Sequence, residues 1–257
     1  MHPMLNIAVR AARTAGNIIA RNFESRDNLE IEAKGLNDFV TKVDKDAEQA
    51  IISKIQQSFP DHSFVGEEGG LVEGNPDYKW IIDPLDGTTN FVKGIPHFCV
   101  SIALQYKGKT DQGVVFDPLR GELFTASRGA GAQLNGFRIR TGQRKELANT
   151  VLATAFPFKD KNLLANTMES FSGIFMHCGD VRRTGSAALD MAYVAAGRFD
   201  GYWERGVKPW DIAAGELLVR ESGGLVTDFS GGHDVFAKGE VACGNPKIVQ
   251  ALVKHLK

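Results

Sequence analysis

The chain has 257 residues, 43% hydrophobic and 24% charged, with 30 basic against 31 acidic side chains for a net charge of −1. These proportions exclude an overall disordered, collagenous or coiled-coil chain, and the near-zero charge excludes a broad nucleic-acid footprint while leaving room for a local basic patch. The length supports a core that needs neither disulfide nor zinc, and the three cysteines, Cys99, Cys178 and Cys243, form no CxxC, which suits a reducing, cytoplasmic setting.

In chain order, the opening Met1-His2-Pro3-Met4-Leu5-Asn6-Ile7 lacks a basic segment with an apolar stretch behind it, so no signal peptide is expected. No run approaches the roughly 18 apolar residues of a membrane span. Leu5, Ala8, Ala12, Ala15 and Ile19 form one stripe and predict a helix over Met4–Phe23. Val43, Ala47, Ile51, Ile55 and Phe59 predict a second helix, stopped by Pro60-Asp61. Two short apolar stretches follow. Phe64-Val65 runs into Gly66-Glu67-Glu68-Gly69-Gly70, and Trp80-Ile81-Ile82 runs into Asp83-Pro84-Leu85-Asp86-Gly87.

Strict alternation over Phe98–Leu104 predicts a strand, with Phe98, Val100, Ile102 and Leu104 on one face. Gln112–Phe116 and Glu122–Ala126 predict further strands, joined by the turn Asp117-Pro118-Leu119-Arg120-Gly121, so residues 98–139 read as an antiparallel meander. Beyond a polar connection at 142–149, strands are expected at Val151–Phe156, Phe199–Trp203 and Leu225–Phe229, and helices at Gly185–Arg198 and Asp211–Ser222. The class is α/β (α+β): a first part over 1–145 carrying the acidic loops and a second α/β part over 146–257, packed as layers.

Several chemistries have no support. The six histidines show no HxH, HxxxH or HExxH spacing, against a zinc hydrolase. Gly108-Lys109-Thr110 lacks the leading glycine of a phosphate loop, since Ala103 stands there, and reads as a hairpin turn. Gly129-Ala130-Gly131 lacks the third glycine of a dinucleotide fingerprint, Leu134 occupying it, and reads as a glycine-rich turn. No GxSxG is present.

Five acids stand out because each follows an apolar stretch or opens a helix: Asp44, Glu67, Asp83, Asp86 and Asp211. Asp83 and Asp86 flank Pro84-Leu85, and Gly87 permits close approach. Two carboxylates about 4 Å apart repel by roughly 4 kcal/mol at an effective dielectric of 20. Such a pair takes up a proton or a cation, and all-oxygen ligation favours Mg²⁺. The bland reading is a plain turn, because Asp, Pro and Gly all favour turns. Gly87-Thr88-Thr89 offers backbone N–H groups for phosphate oxygens and a hydroxyl for a water, or simply caps the next segment. Glu67-Glu68 read alone is a solvated turn, and Asp211 read alone is an ordinary N-cap.

Taken together, three segments resemble the inositol monophosphatase family: Gly66-Glu67-Glu68, the run from Trp80 through Asp83-Pro84-Leu85-Asp86-Gly87-Thr88-Thr89-Asn90-Phe91, and Pro209-Trp210-Asp211-Ile212-Ala213-Ala214-Gly215. Asp38-Phe39-Val40-Thr41-Lys42-Val43-Asp44 and Arg183-Thr184-Gly185-Ser186-Ala187-Ala188 extend the likeness, and the opening residues and Arg182–Gly197 resemble its bacterial SuhB-type branch. The resemblance implies a layered α-β-α-β-α sugar-phosphatase fold, a homodimer, and Mg²⁺-dependent, Li⁺-sensitive hydrolysis of a phosphomonoester, inositol 1-phosphate above all. The family at large leaves fructose-1,6-bisphosphate, a 3′-phosphoadenosine nucleotide and histidinol phosphate open as substrates, and the SuhB-type likeness favours inositol 1-phosphate.

Carried over by position, the likeness assigns Glu67, Asp83 and the Leu85 carbonyl to a first metal site and Asp83, Asp86 and Asp211 to a second, for two or three Mg²⁺ in all. It assigns Asp44 and Thr88, with Glu67, to activation of the attacking water. Gly87 and Thr88 fall to the phosphate cradle, and Gly185, Ser186, Ala187, Glu204 and Asp211 to the substrate, with Lys34 on the loop before Asp44. An aspartyl-phosphate mechanism needs aspartates at i and i+2, whereas Asp83 and Asp86 stand at i and i+3. The SuhB-type likeness also implies a partner role with RNA polymerase and Nus factors in transcription antitermination, while the lack of a long apolar run leads to no expected membrane partner. Arg182-Arg183 is a plausible exposed patch for that role, or else a substrate-side or dimer contact.

Overall fold

A computed structural model describes residues 2–25, 31–35, 38–157 and 160–257, with backbone alone for 31–35 and 38–40. In chain order the elements begin with α1 (Pro3–Glu24), β1 (Ile31–Gly35), β2 (Asp38–Thr41), α2 (Lys42–Gln56), β3 (His62–Gly66), β4 (Gly70–Val72), β5 (Asn75–Asp86) and α3 (Thr88–Lys93). The meander follows as β6 (Cys99–Tyr106), β7 (Lys109–Asp117), β8 (Glu122–Ser127), β9 (Gly131–Leu134) and β10 (Phe137–Arg138). The remainder is β11 (Val151–Thr154), α4 (Leu164–Phe175), β12 (Asp180–Arg182), α5 (Ala187–Ala195), β13 (Gly201–Arg205), α6 (Pro209–Glu221), β14 (Leu225–Thr227), α7 (Val235–Lys238), β15 (Glu240–Gly244) and α8 (Pro246–Val253).

The layers follow from which faces are apolar. The predicted stripe of α1 is buried at every position, and with Val43, Ala47, Ile51 and Ile55 of α2 it covers one face of an eight-stranded sheet. Burying isoleucines such as Ile19, Ile51 and Ile55 stabilises by about 2 kcal/mol each. Strand order in that sheet is β10-β9-β8-β7-β6-β5-β3-β4, with β3 and β5 parallel and the meander antiparallel. The alternation over Phe98–Leu104 sorts as expected, but neither face is solvated. Val100, Ile102 and Leu104 meet α1 and α2, while Cys99 and Ala103 meet α5 and α6.

The same helices cover a second, five-stranded sheet of order β12-β11-β13-β15-β14. Ala153, Tyr202, Val226 and Cys243 join that middle cluster, which thus contains residues from both sides of position 145. Leu152, Trp203 and Ala242 point the other way, onto Ile174 of α4 and Ile248 and Leu252 of α8. The result is the expected α-β-α-β-α stack.

Several sequence expectations need adjustment. The second helix ends at Gln56 rather than Phe59; the chain only continues as a turn, with the Phe59 N–H donating to the Ile55 carbonyl at 2.9 Å. The helix expected at Gly185–Arg198 is Ala187–Ala195, because Ser186 caps it and the Ala196 N–H closes its end. The segments α4, α8 and β15 have no counterpart in the predicted elements.

Phe59, freed from α2, stacks on His62 with ring centroids 4.8 Å apart, and Tyr78 stacks on the opposite side at 4.5 Å. His62 Nδ1 accepts a hydrogen bond from Trp80 Nε1 at 3.0 Å, so that nitrogen must carry no proton. Burial lowers the His62 pKa from its ordinary value. A base whose folded pKa is lowered stays neutral while its unfolded counterpart charges. Its contribution is therefore present above the ordinary histidine pKa and is lost as pH falls from there toward the folded value. Melting temperatures at pH 7.5 and 5.5 are expected to drop more for the native protein than for His62→Gln. Equal drops would remove His62 from the acid response.

Candidate active site

The site is built where the ends of β3 and β5 meet the first turns of α2, α5 and α6. In a regular strand, residues at i and i+3 face opposite sides. Asp83 pairs with Ser101 and Asp86 with Cys99, so β5 carries one residue more than β6 across this stretch. That bulge turns both carboxylates to the same side. Pro84, which has no N–H to offer a ladder, sits inside the irregularity. The Leu85 N–H donates to Asp83 Oδ1 at 3.0 Å and fixes that side chain. The expected turn is therefore a bulged strand end, and the bend proper comes at Gly87. Its φ is 103°, and a Cβ there would stand 3.1 Å from the His97 carbonyl oxygen.

Thr88 opens α3. Its hydroxyl lies 3.1 Å from Asp44 Oδ1 and 3.0 Å from the Leu85 carbonyl, so its single hydrogen serves one acceptor at a time. Asp44 is the third residue of α2, and its other oxygen accepts from the Thr41 N–H at 2.8 Å and the Thr41 hydroxyl at 2.6 Å. This is a capping box, and the Thr41-x-x-Asp44 spacing was its signal. Asp211 is likewise the third residue of its helix and not its N-cap. Lys208 is the cap, Pro209 comes first, and the Lys208 N–H donates to Asp211 Oδ2 at 2.6 Å. Glu67 sits on the turn after β3, its N–H donating to the Ile82 carbonyl at 3.2 Å.

From the second half of the chain, Ser186 caps α5, and its hydroxyl donates to Asp86 Oδ2 at 2.7 Å. The Ala188 N–H donates to the same oxygen at 2.7 Å. Asp190, one turn on, is buried and accepts from the Thr184 hydroxyl at 2.6 Å. Glu204 on β13 accepts from the Tyr202 hydroxyl. Asn90 ties α3 to this region, donating to the His97 and Thr184 carbonyls at 2.7 and 2.9 Å.

These groups open on one cavity of about 600 Å³. Glu67, Asp83, Leu85, Asp86, Gly87, Thr88, Gly185, Ser186, Ala187, Glu204 and Asp211 all line it. Asp44 is buried and reaches it through the Thr88 hydroxyl. The side chain of Lys34 lies outside the described residues. The Arg182-Arg183 pair divides: Arg182 forms a surface ion pair with Asp180 at 2.5 Å, while Arg183 joins the cavity wall. Thr41, Glu48, Asp190 and Tyr202 were not singled out from sequence. Apart from the capping box, nothing in a single sequence marks them.

Burial raises the Asp83 carboxyl well above the usual range, and the neighbouring charges of Glu67, Asp86 and Asp211 raise it further. Asp211 is raised well above it by burial and then by Asp86. Asp44 is raised by burial, tempered by its bonds to Thr41 and Thr88. Among the described residues, no three acidic, histidine or cysteine side chains stand at ready-made metal-ligating spacing. The acids are gathered around a cavity, not closed on a point. As a donor set they nevertheless fit a hard divalent cation, being carboxylates with the Leu85 carbonyl among them and neither imidazole nor thiolate.

Comparison with known proteins bears on this arrangement. The sequence profile of the inositol monophosphatase family matches residues 1–257. The chain is 57% identical over 258 residues to a protein of Escherichia coli (strain K12) named Nus factor SuhB, covering 100% of this chain and 97% of that one. The crystal structure of the extragenic suppressor protein suhB from Bartonella henselae superposes with a TM-score of 0.97 at 42% identity, covering 100% and 99% of the two chains. An inositol monophosphatase from Anabaena (Nostoc) sp. PCC 7120 superposes with a TM-score of 0.88 at 37% identity, covering 98% and 94%. Among the described residues, no helix is long and apolar enough to cross a membrane.

Proposed function

This chain belongs to the inositol monophosphatase family, and on that premise we propose that it is a Mg²⁺-dependent phosphomonoesterase. Inositol 1-phosphate is the first substrate to test. The observation that carries the reading is the crowding of Glu67, Asp83, Asp86 and Asp211 around the cavity that Gly87 and Thr88 also line. Four acids sharing low-dielectric space repel one another unless a cation is present. When bound, two or three divalent ions supply Lewis acidity to the water, the phosphoryl oxygens and the leaving oxygen.

This chain's own residues do the rest. Glu67, Asp83 and the Leu85 carbonyl would hold one ion, and Asp83, Asp86 and Asp211 another. The Thr88 hydroxyl, donating to Asp44 Oδ1, keeps a lone pair for a proton of the attacking water. Asp44, made more basic by burial, is where that proton is drawn. The amides of Gly87 and Thr88 would take phosphoryl oxygens, and Glu204, Gly185 and Ala187 would face the alcohol. Li⁺ sensitivity and a homodimer complete the reading.

A second role is favoured by a specific observation: the relatives at 51–57% identity carry the name Nus factor SuhB. Those names weigh for assembly with RNA polymerase and Nus factors in antitermination more directly than for inositol 1-phosphate as substrate. The two roles are compatible. Phosphate release should be screened across inositol, sugar, nucleotide and histidinol monophosphates, with and without Mg²⁺ and Li⁺. Mg²⁺-dependent, Li⁺-inhibited release is expected, and none from any substrate would sink the phosphatase reading. An inactive Asp83→Asn protein that still supports ribosomal RNA synthesis would separate the second role, and a pull-down without polymerase or Nus components would remove it.

A further inference from the structure

We infer that Glu48 is a positioning residue for Glu67: it holds the turn bearing Glu67 at the depth a divalent ion requires. The inference rests on the reading of Glu67 as a metal-binding side chain. Glu48 stands one helical turn beyond Asp44 on α2 and is only 4% exposed. Its carboxylate accepts from the Glu68 N–H at 3.0 Å and the Gly69 N–H at 2.5 Å. Among the described residues, no basic side chain pairs with it.

A buried carboxylate without a cation beside it persists only where its hydrogen bonds are fixed by the surroundings. Here the surroundings are the turn itself. A Cβ on Gly66 would overlap the Glu48 carboxylate, and one on Gly69 would lie 2.6 Å from it. At both glycines the Glu48 carboxylate, where it is bonded, fills the space in which a side chain would begin.

On its other side the turn is held by β5, through the Glu67 N–H and the Ile82 carbonyl at 3.2 Å. Glu67 is thus pinned between a strand that carries Asp83 and a helix that carries Asp44. Residues at i and i+4 share a helix face. One rigid helix therefore fixes Thr88 through Asp44 and Glu67 through Glu48, and sets their register.

The test is calorimetric titration of Mn²⁺ into the metal-free full chain, for the native protein, Glu48→Gln, Glu48→Asp and Glu67→Gln, with a melting temperature for each. Glu48→Gln keeps the size but sets an amide NH₂ against one of the two N–H donors, Glu68 or Gly69. It is expected to weaken Mn²⁺ binding about 10-fold or more, the usual effect of removing an outer-shell support. Its catalytic rate should recover at high Mg²⁺, and hydrogen exchange at Glu68 and Gly69 should quicken. Glu48→Asp should fall between.

Native Mn²⁺ affinity in Glu48→Gln beside weakened binding in Glu67→Gln would overturn the inference and leave the metal-site reading standing. Native affinity in both would overturn the two together. If Glu48→Gln does not fold, Gly69→Ala forces the Glu48 carboxylate and the turn apart while leaving residue 48 unchanged. It should show the same loss, and native affinity there overturns the inference.

Discussion

Asp83→Asn is expected to lower kcat by at least about 100-fold and, in metal-free protein, to raise the melting temperature. The two effects have one cause. Asp83 is 2% exposed, and its carboxyl is raised first by burial and then by Glu67, Asp86 and Asp211. For an acid whose folded pKa lies above its unfolded value, the folded chain retains a proton that the unfolded chain releases between the two. Stability from this group therefore falls as pH rises through that interval, and the full cost stands above it. Asparagine removes the cost and keeps an oxygen for the Leu85 N–H. It also removes the carboxylate assigned to both metal sites. Phosphate release at saturating Mg²⁺ and thermal melts in chelator measure the two halves. Turnover within several-fold of native would reject the site, and an unchanged melting temperature would reject the crowding.

Asp44→Asn and Thr88→Val are each expected to reduce kcat by about 100-fold, and the double variant by little more than either alone. Asp44 Oδ2 is committed to Thr41, so Oδ1 is the oxygen that faces Thr88. In Asp44→Asn one of these partners meets an NH₂. Thr41 offers two donors and Thr88 one, so the amide group turns to Thr88 and reverses its hydrogen bond. In Thr88→Val the hydroxyl is gone and Asp44 loses its link to the cavity. Residues that act as one unit are non-additive. Multiplied losses near ten-thousandfold would mean that Asp44 and Thr88 act separately.

Much of this was legible in sequence because the physics is local. The α1 stripe and the meander alternation declare themselves by period, and the acids stand beside Gly and Pro at element ends. What failed is instructive. The α4 segment has Leu164, Met168 and Phe175 exposed, so its apolar residues do not mark a core face. The β15 segment is a short continuous apolar run, which period cannot assign to strand or helix. Asp83-Pro84-Leu85-Asp86 carries turn residues yet stays in the ladder as a bulge, because β6 pairs on both sides of it. The partners of Asp86 on α5 lie 100 and 102 positions away, beyond any local pattern.

The helix pair α5 and α6 serves two sheets at once, one on each side. A fragment cut near residue 145 would keep α1 and α2 but strip cover from Ile81, Ala103, Val115 and Phe124. Neither piece would own a closed interior, so both would be prone to aggregate and easily digested. Unfolding of the whole should then register as a single cooperative transition, with the cavity dissolving at the same moment as the two sheets that frame it.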